Sequence, residues 1–153
     1  MAKTDLTQFT QEMDRLIGRV PIVHRDIQAK LVGIAIDELV FTSPVLTGAY
    51  RASHAVGVGE GDAVSRLVYD SPSHPEPDRE VKLGEQMEPP QGNAAEAAYR
   101  GEAPFQNAIL FNDRFYADKV EYGWSTRAGY GTYHAAEQIV EAVAAGVALG
   151  MSW

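Results

Sequence analysis

Histidine has the widest chemical range of the residues in this chain, because imidazole can bind a metal ion or transfer a proton near neutral pH. The four histidines are His24, His54, His74 and His134. None of them stands at the spacing of an H-E-x-x-H zinc motif, and each falls in a different predicted element. We therefore expect no metal site and no cofactor, and interpret the four as scattered surface or hydrogen-bonded side chains.

A serine with a histidine and an aspartate would give nucleophilic catalysis, in which the histidine takes the proton of the hydroxyl. Ser43, Ser53 and Ser65 are the candidates, but the sequence has no G-x-S-x-G elbow to expose one of them. The glycine-rich stretch at 57–61 precedes a predicted strand, where a phosphate-binding loop requires a helix. We interpret that stretch as a hairpin turn and expect that the protein is not an enzyme.

Paired carboxylates act as glycosidase acids when they stand about 5 to 9.5 Å apart across a cleft. The candidate groups are Asp37 with Glu38, and Asp113 with Asp118 and Glu121. We interpret them as carboxylates on solvated helix faces, with Asp113 as a helix cap.

Three aromatic residues near glycines, Trp124, Tyr130 and Tyr133, are of the type that stacks on a sugar or a base. Aromatic residues are also enriched where protein subunits meet. We favour the second interpretation, a contact loop between subunits.

The charge balance argues against specific DNA binding. The chain has 13 Lys and Arg against 21 Asp and Glu, a formal net charge of -8 that would repel a phosphate backbone. It has no cysteine, which excludes disulfides and thiolate metal sites. No signal-peptide pattern is found, nor the ~20 apolar residues that a membrane-spanning helix needs. We expect a protein made and used in the cytoplasm, with no membrane partner.

The N-terminal third has helical periodicity. Phe9, Met13, Leu16 and Ile17, spaced by threes and fours, predict an amphipathic helix over about 5–18. Pro21 suits the first position of a second helix, over about 21–41, because its missing N–H has no partner there in any case. That helix is expected to end before Ser43-Pro44, since the residue preceding a proline avoids helical geometry.

The middle of the chain changes to short β-type runs separated by turns. Strands are predicted at about 50–59 and 63–70, as a hairpin, and at about 107–112. Between them, residues 71–104 form a long proline-rich loop with helical character only at 94–100. Loops of this length are usually functional or disordered, so this one is a candidate contact surface.

Two helices are predicted after the last strand. The first covers about 115–123, with Tyr116, Val120 and Gly123 near one face. The second covers about 132–149 and is alanine-rich. Its apolar residues spaced for burial are Ile139, Val140, Val143 and Val147. The whole chain, 1–153, is expected to be a single α+β domain with an antiparallel sheet packed by N-terminal and C-terminal helices.

Two separated segments carry a resemblance to a known family. The first motif, residues 43–53, reads S-P-V-L-T-G-A-Y-R-A-S, and the second motif, residues 112–123, reads N-D-R-F-Y-A-D-K-V-E-Y-G. In residue pattern, order and separation the two motifs resemble those of the tail-completion and neck proteins of tailed bacteriophages. That family has motifs like S-P-V-D-T-G-x-L-R-x-S and N-x-x-x-Y-A-x-x-V-E-Y-G. Leu46 stands where that family usually has aspartate, and Tyr50 where it usually has leucine.

The resemblance implies a structural virion protein, assembled in the cytoplasm of a bacterial host. It would form a homo-oligomeric ring, a hexamer or else a dodecamer, at the head-tail junction as a neck, tail-completion or tail-terminator protein. Its partners would be its own copies, the adjacent neck or portal-adaptor and tail-tube proteins, and DNA passing through the lumen without specific binding. The alternatives left open are a small phage-encoded cell-wall hydrolase and a monomeric ligand-binding module.

The residues of the two motifs suit a structural role. Thr47 can cap a turn through its hydroxyl, and Gly48 can adopt a positive φ that strains residues with a Cβ. Tyrosine combines a large apolar ring with a polar tip, a composition favoured at interfaces. The interface and structural candidates are Pro44, Thr47, Gly48, Arg51, Tyr116, Tyr122, Gly123, Trp124 and Tyr130.

Overall fold

The computed structural model of the chain describes residues 6–45, 47–61, 63–122 and 131–148. Its elements, in chain order, are α1 (Leu6–Thr42), α2 (Ala49–Ala52), β1 (His54–Glu60), β2 (Ala63–Tyr69), α3 (Gly92–Arg100), β3 (Asn107–Asn112), α4 (Ala117–Glu121) and α5 (Thr132–Ala148). The expected α+β class is confirmed, because long N-terminal and C-terminal helices pack on a three-stranded antiparallel sheet. Among the helices described, none is both long and apolar enough to cross a membrane.

The N-terminal region is one helix of 37 residues, so the prediction of two helices over 5–18 and 21–41 is wrong. Pro21 lies inside α1, where it cannot supply the N–H that would bond to the carbonyl of Ile17. The helix continues because the apolar spacing passes through the proline unchanged, so both flanking segments favour the same helix. The predicted end is confirmed, since α1 stops at Thr42, immediately before Ser43-Pro44.

The predicted hairpin is confirmed, and β1 becomes the central strand. The sheet order is β2-β1-β3, with both neighbours antiparallel to β1. Gly57 and Gly59 lie inside β1 instead of in the turn. A Cβ on either residue would collide with β2, so these two strand positions require glycine. Only Gly61, with φ of 57°, makes the turn conformation expected of the stretch 57–61.

One face of the sheet and three helices form the main core. Its buried residues come from α1, β1, α3 and α5, and are Ala29, Val32, Ile36, Leu39, Val56, Val58, Ala95, Tyr99 and Ala136. The predicted burial along α5 is partly wrong. Ile139 is 40% exposed, and the fully buried positions of this helix are Thr132 and Ala136. The residues of α5 that pack on the main core are Ala136 and Tyr133, near the start of the helix.

The long segment 71–104 is folded, and it contains α3. Within it Pro75, Val81 and Pro90 are buried. The Ser71 hydroxyl donates a hydrogen bond to the carbonyl of Glu88, which closes the segment into a compact loop. The helix in this segment starts at Gly92, two residues before the start that the sequence predicts. We call residues 71–91 the packed loop.

The C-terminal helices are joined by a carboxylate. α4 is shorter than the predicted span of 115–123, and its last residue, Glu121, accepts hydrogen bonds from the backbone N–H groups of Tyr133 (3.0 Å) and His134 (3.1 Å). These N–H groups have no partner within their own helix, because they belong to its first turn. A negative charge is also favourable at a helix N-terminus, so Glu121 fixes α5 against α4.

Candidate functional site

The two motifs that carry the family resemblance meet in space, although about 60 residues separate them in the sequence. The side-chain amide of Asn112 donates to the carbonyl of Tyr50 at 2.8 Å. The rings of Tyr50 and Tyr116 stack with centroids 6.2 Å apart. Val120 completes this small second core. The motifs therefore form one structural unit, a corner between the end of α1, the sheet and α4.

A cavity of about 590 Å³ opens at this corner. Both motifs and the packed loop supply its walls. The lining residues are Pro44, Thr47, Gly48, Ala49, Tyr50, Asp78, Glu80, Val81, Arg114, Phe115 and Tyr116. Two carboxylates and the guanidinium of Arg114 thus lie among apolar and aromatic groups, which leaves the cavity with one net negative charge. We call it the junction cavity.

The backbone of the first motif is shaped as its residues predict. Gly48 has a φ of 81°, in the left-handed region where a residue with a Cβ is strained. The Thr47 hydroxyl accepts the N–H of Ala49 at 3.3 Å, which caps the turn that leads into α2. The guanidinium of Arg51 turns back and donates from Nε to the carbonyl of Val40 at 2.8 Å, near the C-terminus of α1. Arg51 therefore ties the two helices together and does not line the cavity.

Arg114 attaches the packed loop to the second motif. It is only 4% exposed, and its Nη1 and Nη2 atoms donate to the carbonyls of Glu76 and Arg79, each at 2.7 Å. The guanidinium carbon lies 5.4 Å from the centroid of the Tyr116 ring, a cation-π contact. A second link is formed by His74, whose Nε2 lies 3.0 Å from a carboxylate oxygen of Asp113. Asp113 is therefore bound to the packed loop, and its predicted role as a helix cap is wrong.

A buried polar network lies between this corner and the core. The imidazole of His54 is fully buried, with Nε2 2.6 Å from the Ser43 hydroxyl and Nδ1 3.1 Å from the hydroxyl of Tyr133. The Ser43 hydroxyl donates a hydrogen bond to the carbonyl of Leu39. Ser43 must therefore accept from Nε2–H, and Nδ1 accepts from Tyr133. In this arrangement the histidine donates to the serine, the reverse of the hydrogen bond between a catalytic base and its nucleophile.

Burial in this network lowers the pKa of His54 to about 3, and the nearby His74 lowers it further. In the unfolded chain the imidazole titrates at its ordinary value of 6.5. Below that pH the unfolded chain binds a proton that the folded chain does not, so His54 opposes folding as the pH falls from 6.5 towards 3. Burial also raises the pKa of Tyr50, to about 12, and that of Tyr133. Both hydroxyls are therefore donors at neutral pH.

We predict that the free energy of unfolding falls by about 2 kcal/mol between pH 7 and pH 5 because of His54 alone, at ~1.4 kcal/mol for each pH unit below the unfolded pKa. Urea unfolding at the two pH values measures this loss. The variant His54→Gln keeps a hydrogen-bonding side chain without the titration, so its loss should be smaller than that of the wild type by this amount. Equal losses in the two proteins would contradict the prediction.

The remaining residues singled out from the sequence are dispersed. Tyr122 is 81% exposed at the end of α4. Tyr133 belongs to the buried network, so its assignment to a contact loop is wrong. Gly123, Trp124 and Tyr130 lie outside the described residues. Across residues 6–45, 47–61, 63–122 and 131–148, no group of three or more His, Asp or Glu side chains could hold a metal ion.

Sequence reasoning does not predict the structural roles of Arg114, Glu121 and the buried His54, although it singles out the last two as candidate chemical groups. The second motif contains the first two as conventional surface residue types, and nothing local indicates that their partners come from distant segments. His54 lies inside the predicted strand 50–59, and the alternation of a strand alone does not tell which of its residues face the core. Only its position at the start of a strand that is central in the sheet explains its burial.

Comparisons of the chain with protein-family models, with curated proteins and with the solved structures found no match. The likeness to bacteriophage neck proteins therefore rests on the two motifs.

Proposed function

We propose that this protein is a structural virion subunit that closes into a ring at the bacteriophage head-tail junction and joins the portal complex to the tail. The observation that carries the proposal is the convergence of the two motifs at the junction cavity. Segments so far apart in the sequence build one corner through the Asn112 and Tyr50 hydrogen bond and the Tyr50 and Tyr116 stacking. The residues of the family resemblance thus form one unit of the fold with a cavity at its surface, and in this proposal that cavity is the assembly surface.

The surface around the corner supports this role. Phe115 lines the junction cavity just before α4 and is 69% exposed, and the exposed Tyr122 directly follows the same short helix. Exposed aromatic residues beside a cavity are the composition of interface centres. A cyclic ring requires heterologous contacts, in which a concave patch on one copy receives a different, protruding patch of the next. The junction cavity supplies the concave patch.

The charge of the chain suits a ring through which DNA passes. A formal net charge of -8 gives a surface that repels a phosphate backbone, so DNA would move past it without specific binding. In this proposal the ring is hexameric, or dodecameric, and contacts the adjacent neck or portal-adaptor and tail-tube proteins.

Cryo-electron microscopy of virions from the phage that encodes this chain tests the proposal. We expect symmetric ring density at the head-tail junction into which the corner, the sheet and α1 fit. The variant Phe115→Ser should leave separate heads and tails, whereas Phe105→Ser, an exposed phenylalanine stacked on His24, should not. Virions without this protein, or normal joining by the Phe115 variant, would reject the proposal.

The junction cavity also supports one alternative, a monomeric ligand-binding module. Its volume of about 590 Å³ falls in the range of small-molecule pockets. A ligand of that kind would combine an apolar body with a positive charge, because Asp78 and Glu80 lie in the cavity wall. Native mass spectrometry of the purified chain with its partner rings separates the two proposals, since a ligand-binding module would not be recovered as an assembly of six or twelve copies.

A further inference from the structure

The first half of α1 presents a row of apolar side chains to solvent. It projects from the part of the helix that packs in the core, which begins at Ala29. Exposed fractions along the row are 63% for Phe9, 39% for Met13, 57% for Leu16, 57% for Val20 and 53% for Val23. We call these five residues the α1 stripe. They leave on the order of 500 Å² of apolar surface exposed, as much as the largest patch of a typical monomer, and such patches mark interaction sites.

The spacing of the stripe is that of a coiled-coil seam. Its residues follow one another at intervals of four, three, four and three, so they occupy alternating d and a positions of a heptad. The pattern continues to Ile27, which lines an apolar groove of about 320 Å³ with Val147 of α5. This is fewer than the three or four heptads that identify a coiled coil from sequence alone. All five stripe residues are exposed on one continuous helix, and for this reason we interpret the short pattern as a seam for a second helix.

The area of the stripe suits a second helix of the same kind. A stable interface buries about 800 Å² on each partner, and the roughly 500 Å² of apolar surface on the stripe is more than half of that area. A helix with a seam of this type along one side binds a similar helix by knobs-into-holes packing, in which each seam side chain fits between four side chains of the partner. A second copy of this chain is the partner that carries such a helix by necessity.

The charges beside the stripe select the direction of pairing. Glu12 and Arg19 occupy successive g positions, and both are exposed. They are about 10.5 Å apart along the helix, too far for an ion pair within one chain. When two helices run in opposite directions, g positions face g positions, so Glu12 of each copy meets Arg19 of the other. In a parallel pair Arg19 would instead face His24, which offers no negative charge.

We infer that two copies of this chain associate through their α1 stripes in an antiparallel pair, held in register by two reciprocal Glu12 and Arg19 ion pairs. In this register Phe9 of one copy packs on Val20 of the other, and Met13 packs on Leu16. The two-fold contact is independent of the ring contacts at the junction cavity. It produces a dimer from single copies, or joins two rings face to face.

Sedimentation equilibrium of the full-length chain and its charge variants tests the register. The variants E12R and R19E each place like charges at both facing positions, so each should self-associate at least tenfold more weakly than the wild type. An equimolar mixture of the two variants restores both ion pairs and should recover association close to that of the wild type. The matched control D14R makes the same charge change as E12R, but on the outer face at a b position, and should leave association unchanged.

Three outcomes would overturn the inference. They are a wild-type chain that stays monomeric at its highest soluble concentration, a mixture no stronger than the single variants, and a D14R variant as weak as E12R. Failure of the proposed ring and failure of the stripe dimer give different results in these experiments. A ring that closes only through the junction cavity would survive E12R, and a stripe dimer would persist if no ring forms.

Discussion

Replacing Gly92 with alanine is expected to lower the free energy of unfolding by roughly 3 kcal/mol, because no space exists for the added methyl group. A Cβ on Gly92 would collide with the carbonyl oxygen of Gly33 in α1 and with the carboxylate of Asp37. The same carboxylate accepts the Gly92 N–H at 2.8 Å, so any shift that relieves the collision breaks the bond that caps α3. Urea unfolding of the variant against the wild type measures the loss.

Gly18, which lies in α1, gives the matched control. A Cβ on Gly18 meets nothing within 4 Å, so Gly18→Ala should stabilise the fold by about 0.5 to 1 kcal/mol through helix propensity. Gly33→Ala should be destabilising but milder than the Gly92 variant, because its Cβ would lie 2.8 Å from the carbonyl oxygen of Gly92. If Gly92→Ala unfolds at the urea concentration of the wild type, the backbones of α1 and α3 do not cross as closely as described.

The elements that the sequence predicts well are those with local signals. The hairpin and the strand at 107–112 have β-branched or aromatic runs bounded by turn residues, and the structure has strands at His54–Glu60, Ala63–Tyr69 and Asn107–Asn112. The end of α1 before Pro44 follows from a steric restriction on the preceding residue. These features depend on neighbouring residues alone, so one sequence suffices to predict them.

The errors arise where the local signal does not decide the outcome. Pro21 was expected to begin a helix, because a proline removes one hydrogen bond and the signal for a boundary is strong. The exposure of the α1 stripe was equally hidden, since amphipathic periodicity shows that a helix has an apolar face and not what covers it. In the same way the packed loop has the composition of a disordered segment, whereas its contacts with Asp113 and Arg114 of the second motif hold it in place.

The candidate site illustrates the same limit. The two motifs were recognisable as separate segments, and the turn chemistry of Thr47 and Gly48 could be predicted from residue type. Their convergence could not, because it depends on the antiparallel pairing that places Asn112 opposite His54 in the sheet. Long-range register determines which motif residues become neighbours, and no local pattern encodes it.

Arg114→Met is expected to release the packed loop and to lower the free energy of unfolding by roughly 2 to 4 kcal/mol. The variant keeps an apolar stem of similar length but removes both donors to the carbonyls of Glu76 and Arg79. It also removes the cation above the Tyr116 ring. Arg114→Lys should recover little of the loss, since an ammonium group lacks the planar fork that reaches two carbonyls at once.

Limited trypsin digestion reports the release directly, because Lys82 is an exposed cleavage site within the packed loop. Cleavage after Lys82 should be faster in Arg114→Met than in the wild type. Arg100→Met is the matched control, because its arginine makes an exposed pair with Glu96 on α3, worth less than about 0.5 kcal/mol. Unchanged cleavage in Arg114→Met would mean that other contacts, the His74 and Asp113 pair first among them, hold the loop. The junction cavity would then keep its third wall without Arg114, and the loss of stability would stem from the buried carbonyls alone.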